Sequence, residues 1–200
     1  MIKISKGLDL PISGKPDISI TDEPKISSVS LLANDFVGMK PTMLVKENDE
    51  VKVGEKLFED KKNPGIFFTA PAGGFIKSIN RGDKRKFLSI EIEISQNEEF
   101  IDFNMGSSQD EIKNTLINSG LWNVFRTRPF NRTPNISSSP EALFINCCDT
   151  NPLSVDPYEI INIDKDSFDK GLETIKQLFD CDIHPVSYTH LRAHETREDL

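Results

Sequence analysis

The sequence predicts an α+β protein: a β-rich domain over residues 1–100, the start of a Rossmann-like α/β domain over 101–185, and a tail over 186–200 that continues neither. Three observations carry this. From Ser28 to Ile94 short apolar runs are broken every few residues by Gly, Pro, Asn or Asp, the pattern of a compact β module with many tight turns. From Ser107 the apolar spacing turns helical, and a helix–loop–strand order follows. From Val186 the pattern stops, and two of the three histidines, His190 and His194, fall in that last stretch.

In the β-rich part, Met43 to Phe58 reads as two alternating strands around a polar turn, with Gly54 at a backbone angle that other residues resist. A second strand pair is expected from Ile66–Thr69 and Phe75–Ile79, with Ala70-Pro71-Ala72-Gly73-Gly74 as a tight crossing. Arg81-Gly82-Asp83 makes the next turn. In the second part, Ser107-Ser108-Gln109-Asp110-Glu111 offers a helix cap and an acidic first turn, Ile112, Leu116 and Ile117 form one face, and Gly120 stops the helix. Ala142–Ile145 reads as a strand, and Ser167–Asp180 as a helix capped by Asp166 or Ser167, with Phe168, Leu172 and Ile175 on its apolar face. The tail resembles peptides translated from adapter or vector read-through and is set aside. The protein is therefore expected to be longer than this chain, which would end inside its second domain.

Composition removes several function classes. The 200 residues carry a formal net charge of −8, a field that repels phosphate backbones, so no nucleic-acid partner is expected. Apolar runs such as Ile66-Phe67-Phe68 are far shorter than the roughly 20 residues that cross a bilayer. The N-terminus lacks the continuous hydrophobic stretch of a secretory signal. Three cysteines, Cys147, Cys148 and Cys181, have no CxxC spacing and suit a reducing compartment, with the adjacent pair read as a strand end. Neither G-x-G-x-x-G nor a Walker motif occurs, and Gly73-Gly74 leads into a strand, so no nucleotide site is assigned. Outside the tail His184 stands alone, too few imidazoles for a His-based metal site or a Ser–His–Asp triad; no catalytic residue and no metal ligand is assigned.

Three segments could still carry function. Asn48 to Gly54 together with Ala70–Gly74 resembles the biotinyl/lipoyl-type barrel sandwich, which would place Lys61 or Lys62 at a carrier hairpin tip. The tip lacks the DKA or MKM context of modified lysines. Leu121 to Arg132 sets Trp122, Phe125 and Phe130 beside Arg126, Arg128 and Arg132, which suits a planar ligand or an acidic partner; the favoured alternative is packing, with Trp122 and Phe125 holding the helix on the sheet and the arginines paired with local acids. Asp149-Thr150-Asn151-Pro152 follows a predicted strand, where α/β sheets hold ligands and where turns also form.

Several blocks stand in order along the chain: Lys6-Gly7-Leu8-Asp9-Leu10-Pro11-Ile12, Asp35-Phe36-Val37-Gly38-Met39-Lys40-Pro41, Leu57 to Gly65, Thr69 to Gly74, Ser119-Gly120-Leu121-Trp122 with Arg126 to Phe130, and Asp149 to Leu153. Together they resemble the NqrA component of the bacterial Na+-translocating NADH:quinone oxidoreductase (Na+-NQR) over residues 1–185. The resemblance implies a peripheral protein on the cytoplasmic side of the inner membrane that meets the membrane only through its complex. It implies partner subunits that hold the flavins, the iron–sulfur centre and NADH oxidation, while this component binds no cofactor and is associated with ubiquinone. The residues expected to meet the quinone are Phe36, Met39, Trp122, Arg126, Arg128 and Phe130. The competing expectations are an RnfC-type electron-transport protein, a biotinyl/lipoyl-type carrier and a plain scaffold. An α/β domain lacking later strands would also expose a sheet edge, making residues 1–100 the stable part.

Overall fold

A computed structural model describes residues 12–14, 16–17, 25–149 and 151–186. The tail beyond Val186, with His190 and His194, lies outside the described residues, as does the block Lys6 to Pro11. The chain forms two compact units, Glu23–Ser139 and Met1–Asp22 with Pro140–Leu200. The fold is α+β.

The first unit holds seven strands among the described residues: β1 (Ser28–Leu32), β2 (Pro41–Met43), β3 (Glu50–Val51), β4 (Lys56–Asp60), β5 (Phe67–Thr69), β6 (Gly74–Arg81) and β7 (Phe87–Ile94). They make two antiparallel sheets, β1-β7-β6-β3 and β2-β4-β5. Alternation builds the core: Ile90 and Ile92 of β7 are buried, while Glu91 and Glu93 between and beyond them turn outward. Phe58 of β4 stacks on Phe68 of β5 at 4.6 Å and meets Phe87 of β7 edge-on at 5.3 Å, which joins the two sheets.

Two sequence expectations need correction here. The run after the polar turn is not one strand. Gly54, at φ 86, breaks it into β3 and β4, which belong to different sheets, and its N–H donates to Ala70 O at 2.8 Å. Likewise β5 and β6 do not pair; Ala70–Gly73 carries the chain from one sheet to the other, and β6 pairs with β7 instead. Small residues are needed at that crossing because a Cβ on Gly74, at φ 155, would lie 1.9 Å from Glu93 O.

Helix α1 (Gln109–Asn118) also belongs to this unit. It starts as the sequence predicts. Ser108 and Glu111 form a reciprocal capping box, Ile112 and Leu116 are buried, and the chain leaves the helix at Gly120 with φ 79. Thr69 Oγ1 donates to Ser119 O at 2.9 Å and Lys56 Nζ to Asn118 Oδ1 at 2.9 Å, fixing the helix end against β4 and β5.

The other unit is a βαβ arrangement: β8 (Ala142–Asn146), α2 (Pro157–Ile163), α3 (Lys165–Leu178) and β9 (Asp182–Val186), with β8 and β9 parallel. Helix α3 starts two residues before the sequence expectation, because Asp164 rather than Asp166 caps it through Ser167 N. Helix α2 is an addition to the sequence reading, although Asp156 followed by Pro157 is a helix start. Val186, assigned to the tail by sequence, completes β9, and its carbonyl accepts from Cys147 N at 2.9 Å.

Candidate functional site

The turn after β1, through the 3-10 segment Ala33–Asp35, and the Arg-rich stretch after α1 are about ninety residues apart in sequence and adjacent in the fold. The guanidinium of Arg126 lies 5.2 Å from the centre of the Phe36 ring, and its Nη2 reaches Asp35 O at 3.5 Å. The same group donates to Asn123 O, to Phe125 O at 3.2 Å and to Thr133 Oγ1 at 3.2 Å. Burial lowers the Arg126 pKa from its ordinary value, with the Asp35 carboxylate acting in the opposite direction. Arg132 extends the contact, since a Cβ on Gly38 would meet its Nε at 3.5 Å.

The structure therefore brings Phe36 and Arg126 together and separates the remaining candidates by environment. Phe36 is half-buried, its ring edge-on to Phe68 at 4.6 Å, and Met39, three residues on, is half-buried too. Trp122 is interior, 1% exposed, with Nε1 donating to Pro134 O at 3.1 Å and its ring edge-on to Phe125 at 5.4 Å. Arg128 and Phe130 are exposed on a tight turn closed by the Thr127–Arg132 bridge. Arg126 packs against backbone carbonyls and the Phe36 ring, and Arg132 lies over the Phe130 ring, where the packing alternative pairs the arginines with local acids.

Phe36 and Met39 also line an open cleft of about 510 Å³. Its other walls lie outside the residues expected to meet the quinone: Lys40 and Lys62, then Arg81, Lys84, Arg85 and Lys86, with the buried ring of Phe87. The sequence signal is the run Arg81-Gly82-Asp83-Lys84-Arg85-Lys86, four cations in six residues of an acidic chain, which by itself reads as a turn.

The hairpin tip between β4 and β5 is held down. Asp60 Oδ1 accepts from Lys40 N and Lys62 N, both at 3.0 Å, and Gly65 N donates to Glu59 Oε1 at 2.7 Å. Asn63 Nδ2 donates to Pro134 O at 3.2 Å, and Asn135 Nδ2 returns a bond to Asn63 Oδ1 at 3.0 Å. These anchors fix the backbone of the tip, while the side chains of Lys61 and Lys62 are exposed. In the other unit, Cys147 and Cys148 are half-buried just past β8, and burial, then the neighbouring thiol, raises the Cys147 pKa. Asp149 Oδ1 accepts from Asn151 N at 2.9 Å, which is turn chemistry. Among the described residues no group of three or more His, Cys, Asp or Glu could hold a metal ion, and no helix is long and apolar enough to cross a membrane.

Comparison with known proteins agrees with the fold. Residues 2–95 match a family model for the NqrA N-terminal barrel-sandwich hybrid domain, and residues 107–198 match one for the NqrA second alpha/beta domain. Over 190 residues the chain is 47% identical to the NqrA component of the Na(+)-translocating NADH-quinone reductase of Yersinia pseudotuberculosis serotype O:1b (strain IP 31758), covering 92% of this chain and 42% of the relative. The counterpart in Neisseria meningitidis serogroup B (strain ATCC BAA-335 / MC58) is 47% identical over 191 residues, and that in Klebsiella pneumoniae (strain 342) 45% over 190, with the same coverage. The chain thus spans less than half the length of these relatives. With two successive domain matches in the order the structure displays, the chain belongs to the NqrA family of Na+-translocating NADH-quinone reductase components.

Proposed function

We propose that this chain acts within a Na+-translocating NADH:ubiquinone reductase as its NqrA component, peripheral on the cytoplasmic side of the bacterial inner membrane. Electron transfer from NADH to ubiquinone drives Na+ export in that complex, with NADH oxidation, the flavins and the iron–sulfur centre on other subunits. The observation that carries the reading is the pair of consecutive NqrA domain matches over residues 2–95 and 107–198. In this reading the chain itself holds no cofactor, and it meets the membrane through its partner subunits.

Within the chain, the proposed quinone-associated surface is the Asp35–Met39 turn with the Arg126–Phe130 block. Support comes from the contact of Arg126 with Phe36, from half-buried Met39 on the same turn, and from exposed Arg128 and Phe130. Trp122 serves this surface from behind, as a buried support. A scaffold role is the second reading, favoured by the number of backbone carbonyls that Arg126 holds.

The test is to purify the complex from native membranes through a tag on the complete protein, and to measure Na+-stimulated quinone reduction by NADH. Co-purifying activity is expected, with a KM for ubiquinone raised severalfold by Phe36→Ala and Met39→Ala. Activity with an unchanged KM would leave the scaffold role, and absence of Na+-stimulated activity would overturn the assignment to the complex.

A further inference from the structure

A neutral quinone leaves the cationic walls of the 510 Å³ cleft without a purpose. Lys40, Lys62, Arg81, Lys84, Arg85 and Lys86 are six of the chain's 24 Lys and Arg residues, and no Asp or Glu lines the cleft with them. The ion pairs among the described residues are Lys52 with Glu99 and Lys77 with Glu91, so none of the six is neutralised that way. The Asp60 carboxylate, which meets the Lys40 and Lys62 backbone, is buried and already accepts both of those N–H groups. Six like charges around one opening repel one another and oppose folding.

A second cost falls at the same place. Lys86 N donates to Asp83 O at 3.1 Å, closing a turn whose central residues, Lys84 and Arg85, both have positive φ, 53° and 62°. Turns of that geometry are the usual place for Asn-Gly, because a side chain strains a left-handed backbone. Two long cations stand there instead. Backbone strain that persists beside a concave, charged opening marks a site whose side chains are held for a ligand. Phe36, Met39 and Phe87 add an apolar part to the lining, which completes a ligand profile with one strongly anionic end and one apolar end.

We propose that this cleft binds a phosphate-bearing amphiphilic ligand, with the phosphate between the Arg81–Lys86 turn and Lys40 and Lys62, and the apolar part on Phe36 and Phe87. Guanidinium and ammonium groups from separate segments satisfy phosphate oxygens through charge-assisted hydrogen bonds. The source is a phospholipid headgroup at a membrane surface or a soluble phosphorylated compound. The cations and the turn carry this site whether or not the quinone assignment holds, and Phe36 and Met39 belong to both surfaces.

The full chain would be titrated at low ionic strength with inorganic pyrophosphate and with dihexanoyl phosphatidylglycerol below its micelle concentration, by calorimetry. Saturable binding is expected, and which probe binds tighter tells the lipid source from the soluble one. The double variant Lys84→Asn/Arg85→Gly should bind about tenfold more weakly and melt at a higher temperature than the parent, since it removes strain and repulsion together. The variant Lys62→Gln/Arg81→Gln, which leaves the turn residues 84 and 85 intact, should weaken binding without depending on the turn. No saturable binding of either probe, binding unchanged in both variants, or a turn variant that melts lower would each overturn the proposal.

Discussion

Arg126→Ala tests whether the contact between the two halves of the candidate surface holds the turn in place. The substitution removes donors to Asn123 O, Phe125 O and Thr133 Oγ1 and lifts a cation off the Phe36 ring. Each charge-assisted bond at a half-buried site contributes about 1 kcal/mol net, the cation on a ring contributes about 0.5 kcal/mol, and the group acts as a unit, so the expected loss is about 2–3 kcal/mol. In a unit of this size that lowers the midpoint by about 8–12 °C. Trp122 is the chain's single tryptophan and is buried in this unit, so its fluorescence follows the unfolding of Glu23–Ser139. Hydrogen exchange supplies the local readout. The Met39 amide, which donates to Phe36 O at 3.2 Å, should lose protection more than the Ile90 and Ile92 amides of the sheet interior. A change below about 0.5 kcal/mol, or full rescue by Arg126→Lys, would refute the reasoning, because one ammonium cannot serve three separated acceptors and a ring.

Other substitutions probe the framework. Gly74→Ala places a methyl 1.9 Å from Glu93 O and should abolish the cooperative Trp122 transition or move it down by more than about 3 kcal/mol; a near-normal melt would show that the crossing is looser than described. Phe58→Ala, at a fully buried ring stacked on Phe68 and edge-on to Phe87, should cost about 3–5 kcal/mol in urea unfolding. The Glu111 carboxylate is held below its ordinary pKa of 4.5, first by the Ser108 backbone N–H, then by the Ser108 side chain and the Ser107 N–H. A depressed carboxylate stabilises fully above its unfolded pKa and loses that contribution as pH falls through the folded one, so the melting difference between parent and Glu111→Gln should shrink between about pH 6 and pH 3. A difference that stays constant would assign the effect to the capping geometry alone.

What the sequence disclosed and what it hid follow from range. The α1 cap was legible because Ser108 and Glu111 are three residues apart and satisfy each other locally. The Phe75–Ile79 run was legible as a strand from period-two alternation, and it forms the body of β6. Strand partnership was not, since β3 and β5 are two and three residues long and sheet choice depends on where Gly54 and Gly74 turn the chain. Start positions slipped where two acids competed for one cap, as with Asp164 and Asp166. At the candidate site, Phe36 and Arg126 could each be named as suited to a ligand, yet their contact is long-range and leaves no local trace. The cationic walls were hidden because Lys40, Lys62 and Arg81 come from three separate segments, and only the Lys84–Lys86 run is visible as a cluster.

The sheet order β1-β7-β6-β3 sets a timetable for assembly. Ser28 pairs with Glu93 and Leu32 with Ser89, so among the described strands of this unit the earliest in the chain waits for the latest. During synthesis β6 and β7 can form their hairpin as soon as they leave the ribosome, whereas β1 must close a loop that encloses the whole barrel. Until then Leu31 and Leu32 form part of an unpaired edge, the kind of segment that seeks other chains. Completion of this sheet should therefore wait on the docking of β1 against β7, and conditions that slow translation between residues 33 and 94 lengthen the interval in which that edge is open.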